Sequence, residues 1–535
     1  MTSSQSLEDR LKRLIYLNSA DPQFIVGDPD VYQKNLGRSS IEACIDAIKN
    51  DLNEIFSILD AANKDNHLPR RSNLFFILAN LAILEQIKPE QKSKITAKVL
   101  ELCQSDEEFF MFIKYYTERK PKSKMPSSIE KLVRKYYTKK SPLELAQSVA
   151  SCNKMHTWTH KDLIKLAHFK SDTPLKNVVV NYILNKKLSD KATDEELEVL
   201  DIILKSDKLK RTNEVVEAVP ILTTHKFTMN QVSSRLHENA EVWSAAIQNM
   251  SIQQILPCIE KLHKLHLIKP ETTIRNHLSD LLTSPEKVKA SKIHPIEVFT
   301  YMKRLEKGGK PINIKLLNYL QNEKKLGSAE LEKVQTRTRV KKAEILKILN
   351  KCFELACSNV SPTNKRFLVT IDVASNAKEE LCIGNKVLSL LEAACAYAIV
   401  LLRVEKDVMI ATHKDDKIEL LSIEKNISFA TLLKKVEAKT TTYSSLYGPV
   451  EWAASEKKHV DVFVNFIHNN MKIRFEPIVR YRSKVNLPNA KFVTFAPVKK
   501  YLPLWVDLPT NVLDILGFDA TSCKVAECFF RGAFC

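Results

Sequence analysis

Glycine is scarce in this chain: 9 residues in 535, where average usage of roughly 7% would give several times more. Neither G-x-G-x-x-G nor G-x-x-x-x-G-K-[ST] occurs, which excludes the usual phosphate cradles of nucleotide-driven enzymes. The 11 cysteines are odd in number and lack C-x-x-C pairs. Residues such as Cys44 and Cys103 fall on helix faces, as reduced thiols used as small hydrophobes do. There is no H-E-x-x-H, and no clustering of acids that a metal-dependent nuclease would need. No run of some 18 apolar residues is present, so no membrane span is expected. Met1 to Arg13 is polar and charged, unlike a signal peptide. A non-enzymatic protein of the cytoplasm or nucleus, without membrane association, is therefore the expectation.

What is abundant is helix signal and positive charge. From about residue 39 to 355 one amphipathic segment follows another. Ser39 with Glu42 forms a capping box, and Ile41, Cys44, Ile45, Ile48, Leu52, Ile55, Phe56 and Leu59 recur at helical spacing. Asn73 to Ile87 is apolar nearly all round and is expected to be a buried helix. Start signals recur at Ser105/Glu108, Ser141-Pro142/Glu144, Thr159/Asp162 and Thr193/Glu196. Helices of about 10–15 residues joined by short polar turns predict a HEAT-like or armadillo-like repeat array. The Lys- and Glu-rich Ala329–Ala356 reads as a connecting helix.

At Pro362 the pattern changes. Apolar runs at Phe367–Ile371, Val408–Ala411, Val462–Phe466 and Phe492–Phe495 read as strands. They alternate with helical segments at Val387–Leu402 and Phe429–Val436. Such βαβ alternation predicts a doubly wound parallel sheet. Asp372 would stand at the carboxyl end of its first strand, where open α/β sheets place ligands. The chain thus divides into a helical region over 1–360 and an α/β region over 361–535.

The net charge of +19 comes from 82 Lys+Arg against 63 Asp+Glu, a balance that favours polyanions. It is uneven. Between Lys114 and Lys170 fourteen basic residues face four acids, a net of +10. Arg119, Lys131, Arg134, Lys135, Lys161, Lys165 and Lys170 belong to this segment, with His168 among them. Tyr115, Tyr116, Tyr136, Tyr137 and Trp158 interleave. Lysines and arginines neutralise phosphates, and exposed rings stack on unpaired bases. Lys161 and Lys165 lie at i, i+4 on the helix that Thr159 begins, so they share a face. Leu163, Leu166 and Ala167 are left to pack inward. His156, His160 and His168 have no Cys or acidic partner at useful spacing; His160 and His168 are expected to pack, cap or touch RNA.

Thr157-Trp158-Thr159-His160-Lys161-Asp162-Leu163-Ile164-Lys165-Leu166-Ala167-His168 resembles the G-W-S-H-K-D-L-L-R-L-S-H stretch of the Ro autoantigen (TROVE-domain) proteins. Further similar pieces are Glu241-Val242-Trp243, Lys292-Ile293-His294-Pro295, Pro362 to Leu368, and Leu513 to Asp519. The resemblance implies a ring of HEAT-like α-helical repeats plus a C-terminal doubly wound von Willebrand A-like domain. It implies a noncatalytic, monomeric RNA-binding protein of a small ribonucleoprotein. Its partners would be Y-like small noncoding RNA on the outer face and single-stranded 3′ ends of misfolded RNA, in RNA quality control. The lysine pair matches a basic pair used for Y RNA, with Lys165 where the pattern has Arg. The metal loop of the A domain, D-x-S-x-S, is represented by Asp372, with Ala374 and Asn376 where serines stand. Thr442 resembles the threonine ligand of the second loop, and His468 replaces the third-loop aspartate. A lost carboxylate and two lost hydroxyls imply no bound Mg²⁺. A second reading is a scaffold in which both regions bind proteins, with partners at the A-like domain.

Overall fold

The computed structural model describes residues 7–19, 21–27, 52–84, 87–119, 125–151, 154–171, 173–188, 192–269, 271–307, 327, 343–414, 417–441, 444–468, 476–499 and 510–535. Ser39 and Glu42 lie outside them.

Start signals in the sequence fix the helices of the N-terminal body. At Thr193 the hydroxyl accepts from the Glu196 amide at 3.3 Å, and Glu196 reaches back to the Thr193 amide at 3.1 Å. Ser141 and Glu144 exchange the same pair of bonds at 3.2 and 2.7 Å. Such reciprocal bonds satisfy donors that a helix start leaves orphaned. The helix expected over Asn73–Ile87 spans Ser72–Ile83 and is buried on nearly every face. Helices pack against the next but one: Ser72–Ile83 on Asp106–Arg119, Pro89–Leu102 on Ser127–Lys139, and Pro142–Ser151 on Pro174–Asn185. That alternation is the stacking of a helical-repeat array.

The C-terminal region is a seven-stranded sheet in the order β1-β9-β8-β7-β2-β5-β6. Its strands are β1 (Gln23–Ile25), β2 (Arg366–Ile371), β5 (Asp407–Lys414), β6 (Lys417–Leu420), β7 (Val462–Phe466), β8 (Lys491–Ala496) and β9 (Val512–Leu516). All pairings are parallel except β5 with β6. β7, β8 and β9 are buried along their whole length, as strands covered on both faces must be. β3 (Leu381–Cys382) and β4 (Asn385–Ser389) form a separate hairpin. The helix expected from Val387 therefore begins later, at Leu390. Ser389 and Glu392 form a capping box there, and the preceding residues pair as strand.

The strand at Gln23–Ile25 has no counterpart in the sequence reading. It extends the sheet edge beside β9, so N-terminal chain completes the C-terminal sheet. Two of the few glycines permit this. Gly517 (φ +81) lies under Val26, and a Cβ there would stand 2.8 Å from the Ile383 carbonyl oxygen; Gly384 (φ +83) abuts the Val26 side chain.

The halves are locked by specific bonds. His294 Nδ1 accepts from the Ile296 amide at 3.2 Å, which leaves Nε2 to donate to Glu527 at 3.0 Å. Lys307 reaches Glu392 at 2.6 Å, and Asn385 donates to Thr300 at 2.8 Å. The Pro362–Leu368 stretch is held similarly: Thr363 and Asn364 bind Glu405, and Arg366 grips Asp461 with two bonds of 2.8 Å. One apolar core runs through both regions.

Candidate nucleic-acid interface

The candidate site is built on a short helix, His160–Leu166. Met155 and Trp158 exchange backbone bonds of 2.9 Å across a tight turn. The two residues between them, His156 and Thr157, have φ of 48° and 77°. Both central residues at positive φ make this a turn that glycine or asparagine normally supplies. Thr157 is β-branched and strained there. Thr159 then caps the helix: its hydroxyl accepts from the Asp162 amide at 3.1 Å, and Asp162 accepts from the Thr159 amide at 2.9 Å.

His160, Leu163, Ile164 and Ala167 are buried. Leu166, expected to pack inward, is only partly covered. The helix ends in a Schellman arrangement. His168 (φ 48°) donates to the Lys165 carbonyl at 3.1 Å, and Phe169 donates to Ile164 at 3.0 Å. His168 occupies the left-handed position usual for glycine, and it is exposed. Arg134 Nε donates to the Ala167 carbonyl at 2.7 Å, and its Nη2 meets Glu130 at 3.2 Å. Arg134 thus fixes the helix end.

Lys161 is half-buried and Lys165 exposed. Neither has an ion-pair partner among the described residues. Lys131 and Lys135, also at i, i+4 on the neighbouring helix Ser127–Lys139, are exposed with no ion-pair partner among the described residues, and Lys170 is exposed beyond His168. The Arg119 side chain lies outside the described residues. Trp158, Lys165, Leu166 and His168 line a cavity of about 590 Å³, with Met125 and Glu130 opposite.

The interleaved tyrosines are a correction. Tyr115, Tyr116, Tyr136 and Tyr137 are all buried, because stacked helices leave no solvent face for adjacent aromatic pairs. Tyr136 stacks on Phe109 with ring centroids 3.7 Å apart and bonds Asp106. Tyr137 OH meets His160 Nδ1 at 3.0 Å. Burial pushes the His160 imidazole down to about 4, so His160 is a neutral packing group. Of the aromatics named, Trp158 alone stays partly open to solvent.

At the carboxyl end of the sheet, Asp372 and His468 bracket the point between β2 and β7 where strand order reverses, the usual ligand crevice of such sheets. Asp372 is fully buried. Its Oδ1 accepts from Ser444 Oγ at 2.7 Å and the Ala374 amide at 3.0 Å; Oδ2 accepts from the His468 amide at 2.9 Å. Thr442 lies outside the described residues, and Asn376 is exposed. His468 Nε2 stands 3.1 Å from Glu380. Two residues went unnoticed in the sequence. Ser444 supplies the hydroxyl, and His413 is carried beside Asp372 by the register of β5 on β2. Burial pushes His413 down to about 4, with Asp372 opposing. Only strand pairing reveals that neighbour. Among the described residues no three His, Cys, Asp or Glu side chains gather as metal ligands, and no helix is long and apolar enough to cross a membrane.

Similarity to known proteins follows the same layout. The family profile described as the Ro60 vWA domain matches residues 366–530. The RNA-binding protein RO60 of Deinococcus radiodurans is 23% identical over 380 residues, covering 70% of this chain and 66% of that protein, just under two thirds. RNA-binding protein RO60 of Caenorhabditis elegans is 23% identical over 488 residues, covering 81% and 71%. The crystal structure of the Deinococcus radiodurans RO (RSR) protein superposes with a TM-score of 0.76 at 19% identity, covering 99% of this chain and all of that one. A helical-repeat body bearing the capped lysine helix, joined to a parallel sheet whose residues 366–530 match the Ro60 vWA domain, is thus similar in layout and fold to the Ro60 (TROVE) proteins.

Proposed function

We propose that this chain is a noncatalytic RNA-binding protein of a small ribonucleoprotein. It would bind a Y-like noncoding RNA through Lys161 and Lys165 and serve RNA quality control by engaging single-stranded 3′ ends. The observation that carries this reading is the lysine pair itself. It is capped into a rigid helix, has no carboxylate partner among the described residues, and lies beside the open ring of Trp158. Two relatives that bear the name RNA-binding protein support it. Phosphate neutralisation would supply most of the affinity, and Trp158 with His168 would offer an unpaired base a stacking surface. Lys131, Lys135 and Lys170 extend the electrostatic footprint. We read the Asp372 loop as a hydrogen-bonded remnant without Mg²⁺. Ala374 offers no ligand and the carboxylate already meets three protein donors.

The test is binding of a labelled stem–loop RNA with a single-stranded 3′ tail, followed by fluorescence anisotropy across a salt series. Lys161→Glu with Lys165→Glu is expected to weaken binding at least 30-fold at physiological salt and to flatten the salt dependence. Salt-independent binding, or an unchanged affinity in the double variant, would overturn the proposal. RNase-resistant protein complexes in its place would favour a scaffold with partners at the A-like domain.

A further inference from the structure

A second cationic site lies away from the lysine helix, where the helical body meets the last helix of the chain, Ala520–Arg531. A cavity of about 510 Å³ opens there between the 66–68 loop, the end of the helix Pro285–Ser291, the 358–361 loop and that last helix. Lys289, Lys292, Lys524 and Arg531 line it, against the single carboxylate of Glu527. Glu527 is already engaged by His294 at 3.0 Å. None of the four cations has an ion-pair partner among the described residues. Among the described residues, Arg531 Nη1 is buried without a hydrogen-bond acceptor, and Nη2 meets only the weak acceptor Cys528 Sγ at 3.2 Å. Burial of a guanidinium nitrogen with nothing to receive its protons is costly.

Basic side chains at helix C-termini offset the negative end of the helix dipole. That explanation accounts for Lys289 and Arg531, each in a last turn. It does not account for Lys524, which sits near the start of its helix; Lys292, the cap residue of its own helix, is exposed at the cavity in the left-handed conformation (φ 52°). The walls are fixed. Asn359 donates to the carbonyls of Val288 and Ile293 at 3.1 and 2.9 Å, tying the 358–361 loop to the end of the lysine-bearing helix. Ser361 and His67 meet at 3.3 Å. Burial, then Arg531 and Lys292, hold the His67 imidazole below its ordinary value. His67 is therefore neutral and adds no cation of its own.

We infer that this junction cavity is a phosphate-binding site: Arg531 donates from its floor, and Lys292 and Lys524 close on the anion from opposite halves of the molecule. The phosphoryl group comes either from a free polyphosphate or from an RNA backbone. A ligand bound there bridges the helical body and the last helix, so it also stabilises the junction. The site is independent of the RNA reading above, since it shares no residue with the lysine helix.

The test is calorimetric titration of the full chain with inorganic pyrophosphate, in wild type, Lys292→Gln/Lys524→Gln and Arg531→Gln. Saturable binding is expected in wild type, with at least a tenfold loss in the lysine double variant. Both lysines are solvent-accessible, so that variant folds even if Arg531→Gln does not. A parallel arm uses Lys161→Glu/Lys165→Glu chain and a single-stranded RNA oligonucleotide. RNA that displaces pyrophosphate from this chain identifies the backbone as the source; RNA that leaves it bound identifies a free polyphosphate, and either result upholds the site. Absence of saturable pyrophosphate binding, or equal affinity in wild type and the lysine double variant, would overturn it.

Discussion

Lys165 and Asp372 hold comparable places in their halves of the molecule. Each stands at the end of a secondary-structure element, within a stretch that resembles the Ro pattern, and each is an ionisable residue. Their surroundings differ. Lys165 projects into solvent with no carboxylate partner among the described residues. Asp372 is fully buried, and both its oxygens accept hydrogen bonds from the protein. An exposed, unpaired charge can form new contacts without breaking old ones. A buried carboxyl that already accepts three hydrogen bonds costs several kcal/mol to redirect, because its donors are stranded when it moves. The helical half has kept a charge that is available, and the sheet half has turned one inward to hold its own loops. Resemblance of motif preserves where a residue sits; the partners around it decide what it can do.

Three substitutions or conditions break or sharpen this contrast. The largest effect belongs to Asp372→Ala. It strands the Ser444 hydroxyl and two backbone amides, and about 3 kcal/mol of stability should be lost, measured by chemical denaturation. RNA affinity should hold within twofold. A comparable loss of RNA binding in this variant would erase the division between the halves.

Next is pH. Burial holds His160 near 4 in the folded chain, against about 6.5 when unfolded. Between those values the unfolded chain takes up the proton and the folded chain does not, so stability falls as pH drops below 6.5. The contribution is about 2 kcal/mol by pH 5. Urea unfolding at pH 7 and pH 5 should show that loss in wild type and a smaller one in His160→Gln. Equal pH dependence in both chains would mean that His160 is not the neutral packing group described.

The smallest effect is a gain. Thr157→Gly places glycine at φ 77°, relieving strain worth somewhat more than the added freedom of the unfolded chain. The melting temperature should rise by an amount equivalent to about 1 kcal/mol. RNA affinity should change little, since Thr157 lines the cavity beside Trp158 but carries no charge and the substitution leaves both lysines in place. A fall in melting temperature would show that the threonine makes contacts that outweigh its backbone strain.

Individual segments illustrate how much of the fold is legible in the sequence. Thr159/Asp162 and Thr193/Glu196 announced helix starts that the structure reproduces bond for bond, because a capping box depends on neighbours three residues apart. Val462–Phe466 was readable as a strand from its apolar run. Val387–Ser389 was misassigned to a helix, since a short apolar run has no intrinsic period and only the β3–β4 pairing settles it. Tyr136 and Tyr137 offered an attractive pair of stacking rings. Packing buried them, because composition cannot say which face of a helix meets another.

By itself the sequence determined the local events: capped helices, the change of pattern near Pro362, the basic segment and the Asp372 position. These rest on interactions within a few residues of chain. Tertiary structure alone decided the rest. It placed Gln23–Ile25 at the edge of a sheet formed almost entirely by residues beyond 366, joined His294 to Glu527, set His413 beside Asp372, and gathered Lys292, Lys524 and Arg531 around one cavity. Each brings together residues tens to hundreds apart, and no local periodicity records such a meeting. Burial and hydrogen bonding between distant segments fix it, and those exist only once the chain has folded.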